Sequence, residues 1–155
     1  MSFSIQILCV SRPATIFSEI QDHYRTLVST FAPVTIECLK PPSAASIETK
    51  VLLAKEGDQL AARWPRICYP VVLSPEGKTR NTTAFSTWIG SLRQAGKPLI
   101  ITVGGAYGLS PEIKKKAKEI VSLSPLTMSH HLCITVLLEQ IYRAFTILTN
   151  HPYSK

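Results

Sequence analysis

One segment limits the possible folds more than any other: the apolar run "PLIITV" at 98–103, set among stretches whose hydrophobic period switches between two and 3.6. A strand apolar at every position must be covered on both faces, as in a parallel sheet with helices above and below it. The surrounding segments agree. "FSIQILCV" alternates as a strand does, whereas Ile16, Ile20, Leu27 and Phe31 fall at helical spacing. "VTIECL" alternates again, with Val34, Ile36 and Cys38 on one face. "SIETKVLLAKEGDQLAARW" predicts a helix with Ile47, Val51, Leu60 and Trp64 toward one side, weakened at Gly57 and ended by Pro65.

"YPVVL" predicts a short buried strand followed by a polar turn, "SPEGKTRN". The next helix carries Phe85, Trp88, Ile89 and Leu92 on its apolar face. Arg93 in its last turn, Gly96 at C′ and Pro98 beyond mark its end. "IVSLS" predicts another strand, and "SHHLCITVLLEQIYRAFTIL" the last and longest helix. Strands alternating with helices imply an α/β fold with a largely parallel sheet flanked by helices. The 155 residues show no repeat, low-complexity tract or linker, so a single domain over 1–155 is expected.

The net charge of +7 favours a polyanionic partner such as RNA, DNA or an anionic membrane surface, although solubility explains part of it. Cys9, Cys38, Cys68 and Cys133 each lie in an apolar run, with no CxxC and no histidine at zinc-ligand spacing. They read as reduced, buried thiols, and no metal is expected. "MSFSIQILCVSRP" lacks a basic n-region, and no uninterrupted apolar run reaches bilayer length. A cytoplasmic protein without a membrane span is expected.

After the apolar strand comes "GGAYGLSPEIKKK", a glycine turn opening a helix with Ser110 as N-cap and Pro111 at its first position. Gly104-Gly105-Ala106-Tyr107-Gly108 fails the dinucleotide fingerprint in both spacing and position. "GKT" at 77–79 fails as a P-loop, because Val72 stands where the first glycine belongs. A purely structural turn and a ligand-shaping turn both remain open. Lys114, Lys115, Lys116 and Lys118 are equally open between a solvated face and a nucleic-acid contact. Adjacent His130 and His131 point about 100° apart on a helix, so they cannot act as paired metal ligands.

Three ordered motifs carry a resemblance: "GGAYGLSPEI", "VSLSPLTMSHHL" and "LLEQIYRAFTILTNHPYSK". Together they resemble the pseudouridine N3-methyltransferases of the ribosomal large subunit, the RlmH family of the SPOUT class. The likeness spans essentially the whole chain, strongest from Val103 onward and weaker over "VVLSPEGK" and "LLAKEGDQL". It implies a C-terminal trefoil knot in roughly 70–155, with S-adenosyl-L-methionine as cofactor. It also implies a homodimer with its active site near the subunit interface. The apolar breadth of the last helix, from Leu132 to Leu148, agrees with a dimer. The implied substrate is a pseudouridine of 23S rRNA within the assembled ribosome. By motif, the cofactor residues are Leu73, Gly104 and the loop Leu123, Ser124, Pro125, Leu126, Thr127 and Met128.

Methyl transfer to N3 needs the N3 proton removed or its anion favoured, together with in-line alignment. Under the resemblance, Arg143 and Tyr153 are the catalytic candidates, and His130, Asn150 and His151 the substrate-binding ones. An Arg143–Glu139 pair one turn apart competes with that role for Arg143. Lys114 to Lys118, Arg12, Arg25 and Lys155 are candidate RNA contacts. Three departures stand out: Ser129 for a usual proline, Ile134 for a usual arginine, and Ser154 for a near-terminal histidine. The last two keep a second reading open, a non-catalytic RNA- or ribosome-binding factor of the same fold. A nucleotide-phosphate enzyme ranks third, for want of a P-loop or metal-binding carboxylates.

Overall fold

The computed structural model describes residues 2–43 and 47–154; Met1, residues 44–46 of the proline-containing loop and Lys155 lie outside them. Five strands form one sheet: β1 (Ile5–Val10), β2 (Val34–Leu39), β3 (Tyr69–Thr79), β4 (Leu99–Val103) and β5 (Glu119–Ser122). Their order is β2-β1-β4-β3-β5, and every pairing is parallel. The helices are α1 (Thr15–Ser29), α2 (Thr49–Ala61), α3 (Thr82–Ala95), α4 (Pro111–Lys116) and α5 (His130–Leu148).

Side-chain alternation divides the core into two layers. Ile5, Ile7, Leu99, Ile101 and Val103 meet Val28 of α1, Ile89 of α3 and Ile134, Leu138 and Phe145 of α5. Leu8, Val10, Val72 and Ile100 meet Leu60 of α2 and Ile113 of α4 on the other face. All five residues of β4 are buried, as its unbroken apolar run requires. Thr102, the one hydroxyl among them, accepts a bond from Trp64 Nε1 at 3.1 Å.

The helix ends match their signals at three places. Ser110 Oγ accepts from Ile113 N–H, Pro111 opens α4, and Gly96 caps α3 in the left-handed region at φ 69°. Elsewhere the structure corrects the pattern. The polar "turn" after "YPVVL" continues β3 to Thr79. A register shift between Leu73 and Lys78 lets β3 detour and return to Val121 and Ser122 of β5. Polar residues mislead there because the detour is exposed.

In α2 the buried face is Leu52, Glu56, Gly57 and Leu60, while Val51 stays 44% exposed and Trp64 lies beyond the helix. Gly57 is there for closeness: a Cβ would lie 2.6 Å from Ser110 Oγ. In α1 the buried residues are Gln21 and Val28, whereas Ile16 is 84% exposed and Ile20 44%. Gln21 is buried because its amide bonds the His131 carbonyl and Thr135 Oγ1. Among the described residues only α5 is long and apolar enough to cross a membrane by length and composition. Its Ile134, Leu137, Leu138, Ile141 and Phe145 are already consumed inside this one chain. The helix's breadth is therefore largely explained without a second subunit.

A buried ion pair holds β3 to β5. Arg80, at the end of β3, pairs with Glu119 at the start of β5; their side chains are only 8% and 18% exposed. Trp88 Nε1 donates to the same carboxylate at 2.9 Å, and the Arg80 guanidinium lies 4.8 Å from the Trp88 ring centroid. Removing one member leaves the other charge buried and unpaired. Arg80→Ala is expected to lower unfolding stability by about 3 kcal/mol in urea denaturation. A loss well under 1 kcal/mol would show the pair to be solvated.

Candidate functional site

Parallel strands bring all their carboxyl ends to one edge of the sheet, where ligand crevices of α/β folds form. Here the detour within β3 and the segments following β4 and β5 enclose a cavity of about 490 Å³, within the usual range for a small-molecule site. Leu73 closes one side at the end of the straight part of β3. Val103, Gly104 and Gly105 form the floor, and the loop after β5 forms the opposite wall.

Of the residues expected at a cofactor, Leu73, Gly104, Leu123, Ser124, Leu126, Thr127 and Met128 line this cavity. Pro125 does not; it is exposed on the outside of the loop. The loop is held by its own serines, with Ser122 Oγ donating to the Ser124 carbonyl at 2.9 Å and Leu126 N–H to Ser124 Oγ at 3.0 Å. Leu126, an apolar side chain, is 75% exposed at the rim.

The glycine turn is tight because the backbone doubles back on itself. Gly105 and Gly108 form a bridge, with Gly108 N–H donating to the Gly105 carbonyl at 3.1 Å. A Cβ on Gly104 would lie 2.8 Å from the Gly108 carbonyl carbon, and Gly108 sits at φ +82°. The donors of α4 do not make a phosphate cradle, since Ser110 already takes the Ile113 N–H and the helix has six residues. Behind the turn stands Glu56, whose carboxyl faces Gly105 and is pushed up from the ordinary carboxylate value by burial.

Pattern reasoning missed Cys133 and left Lys114 open between a solvated face and an RNA contact; both line the cavity. Cys133 lies three residues after His130, one turn along α5, which is the signal that could have found it. Lys114 Nζ reaches Glu76 Oε1 at 2.6 Å at the rim. His130 also lines the cavity, and its pKa is lowered, first by burial and then by the field of His131. His131 turns the other way: Nε2 lies 2.9 Å from the Arg12 carbonyl and 3.3 Å from Ser11 Oγ, and its ring stacks on Phe17.

The remaining candidates stand elsewhere. Arg143 is thirteen residues beyond His130 on α5, about 20 Å along the axis. Its Nη2 pairs with Glu139 Oε1 at 2.6 Å, and its guanidinium lies 5.0 Å from the Tyr153 ring centroid. Tyr153 OH donates to the same Glu139 oxygen at 3.0 Å. Its pKa is raised, first by burial and then by Tyr24 and Glu139, so the phenol is a proton donor here. Neither Arg143, Tyr153, Asn150 nor His151 lines the cavity of its own chain. Ile134 is fully buried in the core; its departure from the family's arginine therefore removes no surface contact from this chain.

Asn150 has a structural task. At φ 55° it occupies the left-handed position after α5, with Asn150 N–H donating to the Ile147 carbonyl and His151 N–H to that of Thr146. This is the paired bonding of a Schellman cap, with asparagine in place of glycine. The cap turns the tail back so that His151 and Tyr153 meet Tyr142 at ring separations of 6.5 and 4.7 Å.

The fold and cavity are those of a small-molecule-binding α/β domain, and comparison with known proteins places that domain. A family model described as predicted SPOUT methyltransferase matches residues 3–154. The chain belongs to that family. It is similar to proteins named ribosomal RNA large subunit methyltransferase H from several bacteria. Identity is 35% over 133 residues with that of Geobacter sulfurreducens, covering 85% of this chain and 86% of the relative. It is 34% over 160 residues with that of Wolinella succinogenes, covering 97% and 99%. The Gemmatimonas aurantiaca relative is 29% identical over 153 residues, again covering 97% and 99%.

The capping role of Asn150 separates from a substrate role by substitution. Asn150→Gly should keep the thermal midpoint and methyl transfer, while Asn150→Ala should cost about 1 kcal/mol of stability. Loss of transfer in a fully stable Asn150→Gly would assign the asparagine side chain to the substrate instead.

Proposed function

We propose that this chain is a methyltransferase of large-subunit ribosomal RNA that uses S-adenosyl-L-methionine to methylate N3 of a pseudouridine on the assembled ribosome. The observation that supports it most is the coincidence of the family's cofactor motifs with one cavity. The detour within β3 and the segments after β4 and β5, far apart in sequence, meet there. The reading takes the chain as one cytoplasmic domain whose C-terminal half, roughly 70–155, passes through itself as a knot.

The residues present suit this cofactor. Leu73, Leu126 and Met128 give adenine apolar walls, and the loop backbone gives it hydrogen-bond partners. Gly104 and Gly105 bring bare backbone to the cavity floor, and their tight packing on Gly108, Val10 and Glu56 leaves no room for a side chain at either position. When bound, S-adenosyl-L-methionine supplies an electrophilic methyl on a good leaving group. The protein's part is then alignment and stabilisation of the charge that develops on the base. Arg143 suits a carbonyl oxygen or a phosphate, His130 is held neutral beside the cavity, and Lys114 to Lys118 with Arg12 and Arg25 suit the RNA backbone.

Arg143 and Tyr153 lie at the far end of α5 from their own cavity, so the reading requires a homodimer in which one protomer's tail completes its partner's site. Exposed Ile16 and Ile20 on α1 and Leu132 on α5 are apolar surface available for that contact. The alternative of a non-catalytic binding factor loses one of its two supports, because Ile134 is core.

Labelled methyl groups from S-adenosyl-L-methionine should enter the large-subunit rRNA of intact ribosomes that lack the modification. Free rRNA should take up little. Cofactor binding without any transfer to ribosomes would favour the binding factor. The shared site has its own test. Thr127→Trp, which fills the cavity from an exposed position, and Arg143→Ala should each abolish transfer. Mixed dimers assorting at random should recover about a quarter of the activity, the share of sites with both parts intact. Full transfer by Arg143→Ala alone would put Arg143 outside the mechanism, and no recovery in the mixed dimers would place it in its own protomer's chemistry.

A further inference from the structure

β1 and β2 are parallel neighbours at one side of the sheet, β2 being the edge strand, and their register sets Cys9 opposite Cys38. The two sulfurs lie 2.9 Å apart. The disulfide bond length is about 2.05 Å, so the sulfurs need to close by only about 0.9 Å. Neighbouring strands run about 4.8 Å apart, inside the Cα separations that disulfides span. Cys9 is fully buried in the core, whereas Cys38, on the edge strand, is half-buried and open to a small reagent. Spacing along the chain hides the pair, since twenty-nine residues separate its members.

We propose that Cys9 and Cys38 are a peroxide-reactive dithiol that closes to an intrachain disulfide. Cys38 is the attacking sulfur. Cys9 S–H donates to it, and that bond holds Cys38 below the ordinary thiol range, with smaller help from Ser11 and from the field of His131. Cys9 is pushed up by the same bond and by burial, so it keeps its proton. The Cys38 thiolate attacks one peroxide oxygen, the O–O bond breaks, and the leaving hydroxide takes up the proton that the Cys38 thiol had released, forming water and leaving the Cys38 sulfur oxidised to sulfenic acid. Cys9 then attacks that sulfur, the S–O bond breaks, and the departing hydroxide takes the Cys9 proton as water. Two thiols and one hydrogen peroxide become one disulfide and two waters.

The pair is also connected to the cavity wall. Ser11 Oγ lies 3.4 Å from Cys9 Sγ and 3.3 Å from His131 Nε2, and His131 adjoins His130 in the cavity lining. Closure of the disulfide thus acts on a hydrogen-bond chain that ends one residue from the ligand site. This proposal stands whether or not the cavity takes S-adenosyl-L-methionine.

The test uses the reduced full-length chain under nitrogen, treated with one equivalent of hydrogen peroxide and mapped by mass spectrometry after alkylation. Two of the four thiols should disappear with the loss of two hydrogens in mass, in a Cys9–Cys38 crosslink that dithiothreitol reverses. Their loss should run about tenfold faster than that of Cys68 or Cys133, whose thiols burial raises. Cys9→Ala should trap the sulfenic acid on Cys38 for capture by dimedone, and Cys38→Ser should leave Cys9 unreactive. Preferential oxidation of Cys68 or Cys133 would overturn the proposal. So would oxidation of Cys38 to sulfinic acid without a crosslink, or survival of all four thiols. The wild-type map decides the question even if Cys9→Ala does not fold.

Discussion

The structure depends on where β3 lies. Between β4 and β5, it is the strand through which the glycine turn and the 123–129 loop reach the same space. Its first half pairs with β4 from Tyr69 to Leu73, and its second half leaves that register to return beside Val121 and Ser122. Leu73 therefore ends one ladder at the point where the cavity begins. The Arg80–Glu119 pair then fixes β3 to β5 beyond the detour, in a setting dry enough that either charge alone would be costly. With these two constraints in place, the cavity's walls are set by strand ends, and only the rim is left to side chains of exposed loops.

What the pattern of residues made legible is what burial imposes. β4 had to be covered on both faces because all its residues but Thr102 are apolar, and it is. The end of α3 and the start of α4 were readable because Gly96 and Ser110 satisfy backbone groups locally and Pro111 has no N–H to satisfy, whereas the Asn81 cap that opens α3 went unread inside the polar turn. The second half of β3 was not, since an exposed detour carries the same polar residues as a turn. In α1 the apolar positions Ile16 and Ile20 point outward while Gln21 points in, and periodicity has no means of knowing that Gln21 meets His131 and Thr135. The Cys9–Cys38 contact was hidden for a related reason: register between strands is a tertiary fact. At the cavity, the loop and glycine motifs fall where a ligand site would need them, while Pro125 faces away and Cys133 enters unannounced.

The two ends of α5 pose the remaining physical question. At its start, His130 and Cys133 face the cavity; near its end, Glu139 gathers Arg143 and the Tyr153 hydroxyl into a compact cluster. The Schellman cap at Asn150 folds the tail back onto Tyr142, which pre-orders the group at modest entropic cost. A tail so ordered is not an ordinary frayed terminus. Yet the order has a consequence for chemistry: while Glu139 holds both partners, Arg143 is neutralised and Tyr153 keeps its proton. For Arg143 to stabilise charge on a base, the substrate must compete with Glu139 for the guanidinium. A phosphate or a developing anion can do that more readily than a neutral carbonyl, because it offers a charge in exchange for the one displaced. In the proposed role the cluster would favour a ligand that arrives with, or develops, negative charge. Under the proposed reaction, a nucleic-acid substrate losing an acidic N–H would meet that condition twice.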